Sequence, residues 1–295
     1  MKRLLVLVTV ALLCVAGVGF ASAAAPASNT GRSIAAWHIT ATTATTPVPS
    51  PPDPAAAAAK VRQAMHAVLP NTQVGFAVFD RQNNTVLASH DADRQFASMS
   101  VVKLLIALDV LASDNWATPD GMTQQQLHQM LADSDDGIAS NLWSANGGPA
   151  IVTRMAGLLG LTGTQPPKNP GRWGNTLITP QDLVTVYRYI TDELSHPTRD
   201  LLLGALADTP HIAADGFDQH FGIPHGMPDA TWAVKQGWGT SGSTAVMNST
   251  GLVGADLRYV VVMLVSAPAN SYSRVPAAVT AGAGALAGSL GSAES

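Results

Sequence analysis

The stretch Phe96-Ala97-Ser98-Met99-Ser100-Val101-Val102-Lys103-Leu104-Leu105-Ile106 pairs a nucleophile with a base. If Ser100 opens a helix, Lys103 one turn later lies on the same face, within reach of the Ser100 hydroxyl. A serine hydroxyl is a weak nucleophile until a neighbouring base takes its proton, and a lysine desolvated among Val, Leu and Ile has the lowered proton affinity that this requires. The pattern alone is weak evidence. Five lysines and 21 serines give about 0.36 Ser-x-x-Lys matches by chance. The bland reading, an N-cap serine and a surface lysine, fits poorly because Lys103 is the only polar residue between Val101 and Leu108.

Two further segments carry suitable groups. Ser134-Asp135-Asp136 follows the apolar end Met130-Leu131-Ala132 and precedes Gly137-Ile138-Ala139-Ser140-Asn141, so it reads either as a site element or as a Ser-Asp helix cap. Lys235-Gln236-Gly237-Trp238 lies in a strand-like run, where Lys235 and Gly237 project to one face. A literal Ser113-Asp114-Asn115 stands thirteen residues beyond Ser100, roughly 20 Å along a helix, and reads as a helix end.

These three segments together resemble the class A β-lactamase and penicillin-binding serine hydrolase family, whose motifs are Ser-x-x-Lys, Ser-Asp-Asn and Lys-Thr-Gly. The likeness covers roughly residues 55 to 290. It implies Ser100, Lys103, Ser134 and Lys235 as catalytic residues, with Ser134 relaying a proton to the leaving nitrogen and Lys235 attracting a substrate carboxylate. It implies substrate contacts at Asp136, Gln236, Gly237 and Trp238. Asp136 takes the place of the family's substrate-binding Asn, Gly237 lets a substrate backbone lie close to the sheet, and the N–H groups of Ser100 and Trp238 form an oxyanion hole. Two departures stand out. Gln236 lacks the hydroxyl that helps hold the carboxylate of a ligand, and an ionised Asp136 should repel an anionic one. The family's deacylating Glu has no counterpart either: no Asp or Glu occurs between Gly137 and Gln181, and the corresponding loop, Thr162 to Asn175, offers Lys168, Arg172 and Trp173. The interval from Ser100 to Ser134 is short, which implies a trimmed helical lobe.

The elements that must position these groups follow from periodicity. A helix is expected from Ala55 to Leu69, a hairpin from Gln73–Asp80 and Thr85–His90, and a helix from Ser100 to Ser113. Further helices are expected at Thr123–Ala132, Ile138–Ala145, Pro149–Leu159, Pro180–Leu194 and Thr198–Ala207. Strands follow at Thr231–Trp238, Thr244–Val253 and Leu257–Ser266, then an Ala-rich helix at Val275–Leu290, whose glycines suit close helix packing. Strands at both ends with helices between them predict an α+β fold: an antiparallel sheet built from both chain ends, flanking helices and an inserted helical lobe, with a cleft where lobe meets sheet.

Residues 1–23 read as an export signal, Lys2-Arg3 followed by an apolar run and Ala21-Ser22-Ala23, with cleavage near Ala23. Residues 24–54 form an Ala/Thr/Pro-rich linker, and residues 55–295 the hydrolase domain. Cys14, the only cysteine, falls inside the leader behind Leu13, where a lipid-anchor signal would want a small residue. The mature chain therefore has neither disulfide nor thiol chemistry. A 295-residue chain with 46% hydrophobic residues can bury a full core, and its net charge of −4 without basic clusters excludes nucleic acid as a partner. The expected protein is a secreted cell-envelope monomer without a stable membrane span or a cofactor. It would act on a small-molecule or peptide substrate of the cell wall, by acyl transfer through Ser100 on a peptidoglycan-related or β-lactam amide. The alternative is a catalytically weak or inactive binding protein of the same fold. His211, His220 and His225, with Asp215 and Asp218, match no short metal-ligand spacing and read as loop or surface residues, so no metal site is expected.

Overall fold

The computed structural model describes residues 53–290; the leader, most of the linker and the last five residues lie outside the described residues. Helix α1 (Pro54–Val68) starts on the Asp53 cap, whose carboxylate accepts from Ala55 N, with proline at its first position. Strands β1 (Gln73–Asp80) and β2 (Thr85–His90) form the expected hairpin. After the two-residue strand β3 (Phe96–Ala97) and a 3-10 turn, Met99–Val102, the chain enters the helices α2 (Lys103–Ser113), α3 (Gly121–Ala132), α4 (Asp136–Ala145) and α5 (Pro149–Leu159). Strand β4 (Leu177–Ile178) pairs with β3. Helix α6 (Pro180–Arg188) widens into a π turn, Tyr189–Glu193, where one continuous helix was expected, and α7 (His196–Ala207) follows. The short α8 (Ile223–Gly226) precedes β5 (Trp232–Ser241), β6 (Thr244–Val253), β7 (Tyr259–Pro268) and α9 (Val275–Leu290).

The main sheet runs β2-β1-β7-β6-β5, antiparallel throughout, so the first and last parts of the chain meet at the β1–β7 seam. The predicted α+β architecture is the observed one. Strand β7 is a near-continuous apolar run because both its faces are covered. Val260, Val262 and Leu264 face the helical lobe with Ala77, Phe79, Leu104, Leu108 and Tyr187. Val261, Met263 and Val265 face the terminal helices with Phe76, Met65 and Val279. Helix α9 can press onto that second face because Gly282 has no side chain: an added Cβ would lie 2.6 Å from Met263 Cε and 2.7 Å from Met65 Cγ. At the seam, Arg258 grips Asp80 with two hydrogen bonds of 3.0 and 2.6 Å, joining the start of β7 to the end of β1.

Candidate active site

Ser100 sits in the 3-10 turn ahead of α2 rather than in its first α-turn. In that tighter winding, residues i and i+3 eclipse, and Lys103 Nζ lies 2.9 Å from Ser100 Oγ. Three neighbours fix the turn. Asn248 of β6 donates from Nδ2 to the carbonyls of Ala97 and Ser98 at 2.9 and 3.0 Å. Ser98 N donates to Thr176 O beside β4. Gly237 of β5 brings its bare Cα against the turn, where a Cβ would lie 2.7 Å from Ser98 O and 3.1 Å from Ser100 N. The chain's own turn therefore requires a glycine at 237. Met99 takes a left-handed φ of 47°, a strained conformation for a long side chain, which this packing maintains immediately before the serine.

Ser134 occupies the link between α3 and α4, also at positive φ, 56°. The two readings of this segment divide between neighbours. Asp135 caps α4, accepting from Ile138 N, while Ser134 turns into the cleft. Its carbonyl accepts from Lys103 Nζ at 2.7 Å, and its Oγ lies 3.2 Å from Lys103 Nζ and 3.0 Å from Lys235 Nζ. The result is an unbroken polar path, Ser100 Oγ, Lys103 Nζ, Ser134 Oγ, Lys235 Nζ, at the floor of the cleft. All four side chains are buried.

Asp136 Oδ1 receives a 2.6 Å hydrogen bond from Lys103 Nζ, although the rest of the carboxylate is exposed. Burial pulls the Lys103 amine below the ordinary lysine range, and the Asp136 charge works in the opposite sense. Lys235 lies well below its ordinary value, first through burial and then through repulsion from Lys103. A neutral Lys103 amine can satisfy this geometry by accepting from Ser100 while donating to Ser134 O and Asp136.

Gln236 is not at the cleft surface. Strand alternation sends its side chain to the opposite face, fully buried, where Nε2 donates to the carbonyls of Gln219 and Phe221 at 3.1 and 2.6 Å. The substrate contact expected at position 236 is not offered by this side chain, whose amide holds the loop that precedes α8. Trp238 does line the cleft. Its indole N–H donates to Asp215 at 2.9 Å, and its ring stacks on Phe217 with centroids 4.9 Å apart.

The cleft encloses about 430 Å³, with Ser100, Asp136, Trp173, Asp215, Trp238 and Tyr272 among its lining. Trp173, on the loop before β4, lies with its ring 4.9 Å from Lys103 Nζ. The acidic residues of the lining are Asp136 and Asp215, neither of which comes from that loop. Sequence reasoning missed Asn248 as a positioning residue. Its signal was a polar run, Asn248-Ser249-Thr250, inside an otherwise apolar strand. Each of those side chains serves a neighbour: Ser249 Oγ accepts from Ile223 N, and Thr250 Oγ1 donates to Lys235 O. Ser113-Asp114-Asn115 ends α2, as expected. His211, His220 and His225, expected to be ordinary loop residues, instead converge, with ring centroids 4.1 to 6.1 Å apart.

This fold and cleft define a β-lactamase-like protein of the serine hydrolase type. The model of the Beta-lactamase enzyme family (Beta-lactamase2) matches residues 116–287, and the chain belongs to that family. The match begins after Ser100 and Lys103. The curated protein "Putative lipoprotein LppW" of Mycobacterium tuberculosis is 36% identical over 218 residues, covering 72% of this chain and 69% of the relative. Among solved structures, PBP-A superposes with a TM-score of 0.63 at 20% identity, over 82% of this chain and 99% of that one. A mutant of PBP-A has been solved as an acyl-enzyme complex with penicillin G. A class A β-lactamase of Bacteroides cellulosilyticus gives a TM-score of 0.61 at 16% identity, over 79% and 99%. These structural likenesses concern the fold. Among the described residues, no helix is long and apolar enough to cross a membrane.

Proposed function

We propose that this protein is an exported acyl-transfer hydrolase of the cell envelope. Its substrate would be a peptidoglycan-related or β-lactam amide, attacked by Ser100. The observation that carries the reading is the path Ser100 Oγ–Lys103 Nζ–Ser134 Oγ–Lys235 Nζ, with links of 2.9, 3.2 and 3.0 Å. Neutral Lys103 takes the Ser100 proton as the oxygen attacks the carbonyl carbon. A C–O bond forms, the C–N bond breaks, and the proton passes through Ser134 to the departing nitrogen. Lys235 stabilises the Ser134 oxygen while that proton is in transit. The N–H groups of Ser100 and Trp238 are assigned to the developing oxyanion. Water then hydrolyses the ester and returns a proton to Ser100.

Export is supported by the leader-like residues 1–23, which would be cleaved near Ala23, and by the lipoprotein name of the mycobacterial relative. A second reading, a ligand-binding protein with little turnover, is favoured by Asp136, whose 2.6 Å bond stabilises the ammonium form of the base. The test is intact mass spectrometry of the purified protein after exposure to a fluorophosphonate and, separately, to penicillin G, the acyl donor seen on the PBP-A mutant. A single adduct that maps to Ser100 supports acyl transfer. A protein that binds penicillin G without any covalent adduct to either reagent would establish the second reading.

A further inference from the structure

Eight histidines occur in the chain, and three of them, His211, His220 and His225, bring one ring nitrogen each to within 4.8 Å of one another. We propose that these residues form a binding site for a divalent transition ion of the zinc class, separate from the acyl-transfer path. Imidazole nitrogens suit Zn²⁺, Ni²⁺ and Cu²⁺, while Mg²⁺ and Ca²⁺ want oxygen. Three histidines plus a solvent position make a complete tetrahedral set. His211 and His225 are exposed and His220 is half-buried, so the fourth position faces water.

The surroundings of the rings distinguish this cluster from a chance crowding of surface histidines. A metal-bound imidazole as a rule donates its other N–H to a carboxylate or a backbone carbonyl, which fixes the tautomer and aims the free nitrogen. Two of the three already have such partners: His211 Nδ1 lies 3.2 Å from Asp218 Oδ1, and His220 Nε2 lies 3.0 Å from Thr209 O. Each leaves the opposite nitrogen for the ion, Nε2 on His211 and Nδ1 on His220. The His220 ring is further held edge-on to Trp232, with centroids 5.4 Å apart.

Hydrogen bonds hold the backbone that carries the rings. Gln219 N donates to His211 O, and His225 N donates to His220 O. The buried Gln219 amide donates to Ala132 O and Pro210 O, and Gln236 grips the carbonyls on either side of His220. Sites supported in this way need little reorganisation on binding. Nitrogens bound tetrahedrally at about 2.1 Å stand about 3.4 Å apart, so closure from the present spread needs about 1 Å of movement, available to the two exposed rings by χ rotation. The same loop carries Asp215 and Phe217 against Trp238, which places a bound ion on the segment that forms one side of the cleft.

The experiment uses full-length, untagged protein, stripped with a chelator and titrated with ZnCl₂ by calorimetry. Saturable binding of one Zn²⁺ per chain, at micromolar Kd or tighter, is expected. Mg²⁺ and Ca²⁺ should give no signal, and Co²⁺ should give the visible absorption of a tetrahedral nitrogen site. His211→Ala and His225→Ala, at exposed positions that spare the core, should abolish binding with unchanged circular dichroism. Asp218→Asn should weaken it about 10- to 100-fold. Ser100→Ala should bind as the unmodified protein does, which separates this site from the acyl-transfer reading. Absence of stoichiometric binding at 100 μM Zn²⁺, or full binding by a folded His225→Ala variant, would overturn the proposal.

Discussion

The two walls of the cleft differ in kind. The wall built from the Met99–Val102 turn, the α3–α4 link and β5 concentrates two hydroxyls and two amines in a buried path, each within hydrogen-bond distance of the next. The opposite wall, the loop ahead of β4, presents Arg172, Trp173 and Asn175 and no carboxylate. A serine hydrolase needs the first wall to form its ester and a water-activating base to break it. On the proposed acyl-transfer reading, the contrast equips this cleft for the first half of the reaction more fully than for the second.

The largest effect that can break this comparison is loss of the nucleophile. Ser100→Ala should eliminate fluorophosphonate labelling, and Ser113→Ala, at the exposed end of α2, should leave it intact. Lys103→Ala should retain the fold and slow acylation by at least about 100-fold, the lower range for general-base assistance. Loss of labelling in a folded Ser113→Ala protein would move the chemistry away from the first wall altogether.

Next in size is the lifetime of the ester. If penicillin G acylates Ser100, release should be about 10²–10⁴-fold slower than with a positioned base. Nitrocefin at high enzyme concentration should then show one rapid turnover and a nearly flat line, with the adduct accumulating in the mass spectrum. Trp173→Glu places a carboxylate where the indole now faces Lys103, at 4.9 Å. It should shorten the lifetime of the adduct by about 100-fold. Sustained rapid hydrolysis by the unmodified protein would show that a water-activating base comes from outside the second wall, with Asp136 the first residue to substitute.

How far the sequence reaches depends on the range of the forces that fix each feature. Strands β1, β2 and β6 and helices α5 and α9 start and stop where alternation, proline and apolar runs place them, because local patterning governs them. The pair β3–β4 is only two residues long on each side and exists through contact between segments 80 residues apart in the chain, so no local pattern reports it. Strand β7 begins at Tyr259 instead of Leu257 because Asp256 and Leu257 adopt left-handed φ values of 53° and 52°, which no glycine announces. Ser100, Lys103, Ser134 and Lys235 were legible as candidates through the resemblance to the family's three motifs, and the structure brings their side chains together. The partners of Gln236 were not. Alternation sets its side chain opposite Lys235, but the carbonyls of Gln219 and Phe221 that it meets there are brought to it by a loop earlier in the chain. The histidine cluster was equally hidden, since it forms when one loop closes on itself.

Asp136 offers a finer probe of the first wall. Burial lowers the proton affinity of Lys103 and the Asp136 carboxylate partly restores it, so Asp136→Asn removes the restoring influence and lowers that affinity further. Acylation by a neutral ester or fluorophosphonate should rise with pH as Lys103 loses its proton. The variant should show this rise at lower pH than the unmodified protein. A shift of one unit would mean about tenfold faster reaction on the acid limb. A limb that stays in place would show that Asp136 does not set the protonation of the base. A limb displaced upward would reverse the sign of the coupling.

The smallest expected effect concerns Gln236 and separates two roles for the residue between Lys235 and Gly237. If the amide acts by holding the loop ahead of α8, Gln236→Thr leaves the buried carbonyls of Gln219 and Phe221 without that donor. The cost should be about 2 kcal/mol, a drop of about 4–8 °C in Tm for a domain of this size. Penicillin acylation at a temperature where the variant is folded should then remain within about twofold, because no ligand contact has been added or removed. If the residue instead governs carboxylate-bearing ligands, the introduced hydroxyl should speed penicillin acylation and Tm should hardly move. The buried position of the side chain and its 2.6 Å bond to Phe221 O favour the first outcome, and thermal melting measured beside acylation rates on the same preparation decides between them. Faster acylation at unchanged Tm would return Gln236 to the cleft and would require β5 to rotate its side chains by one position during binding.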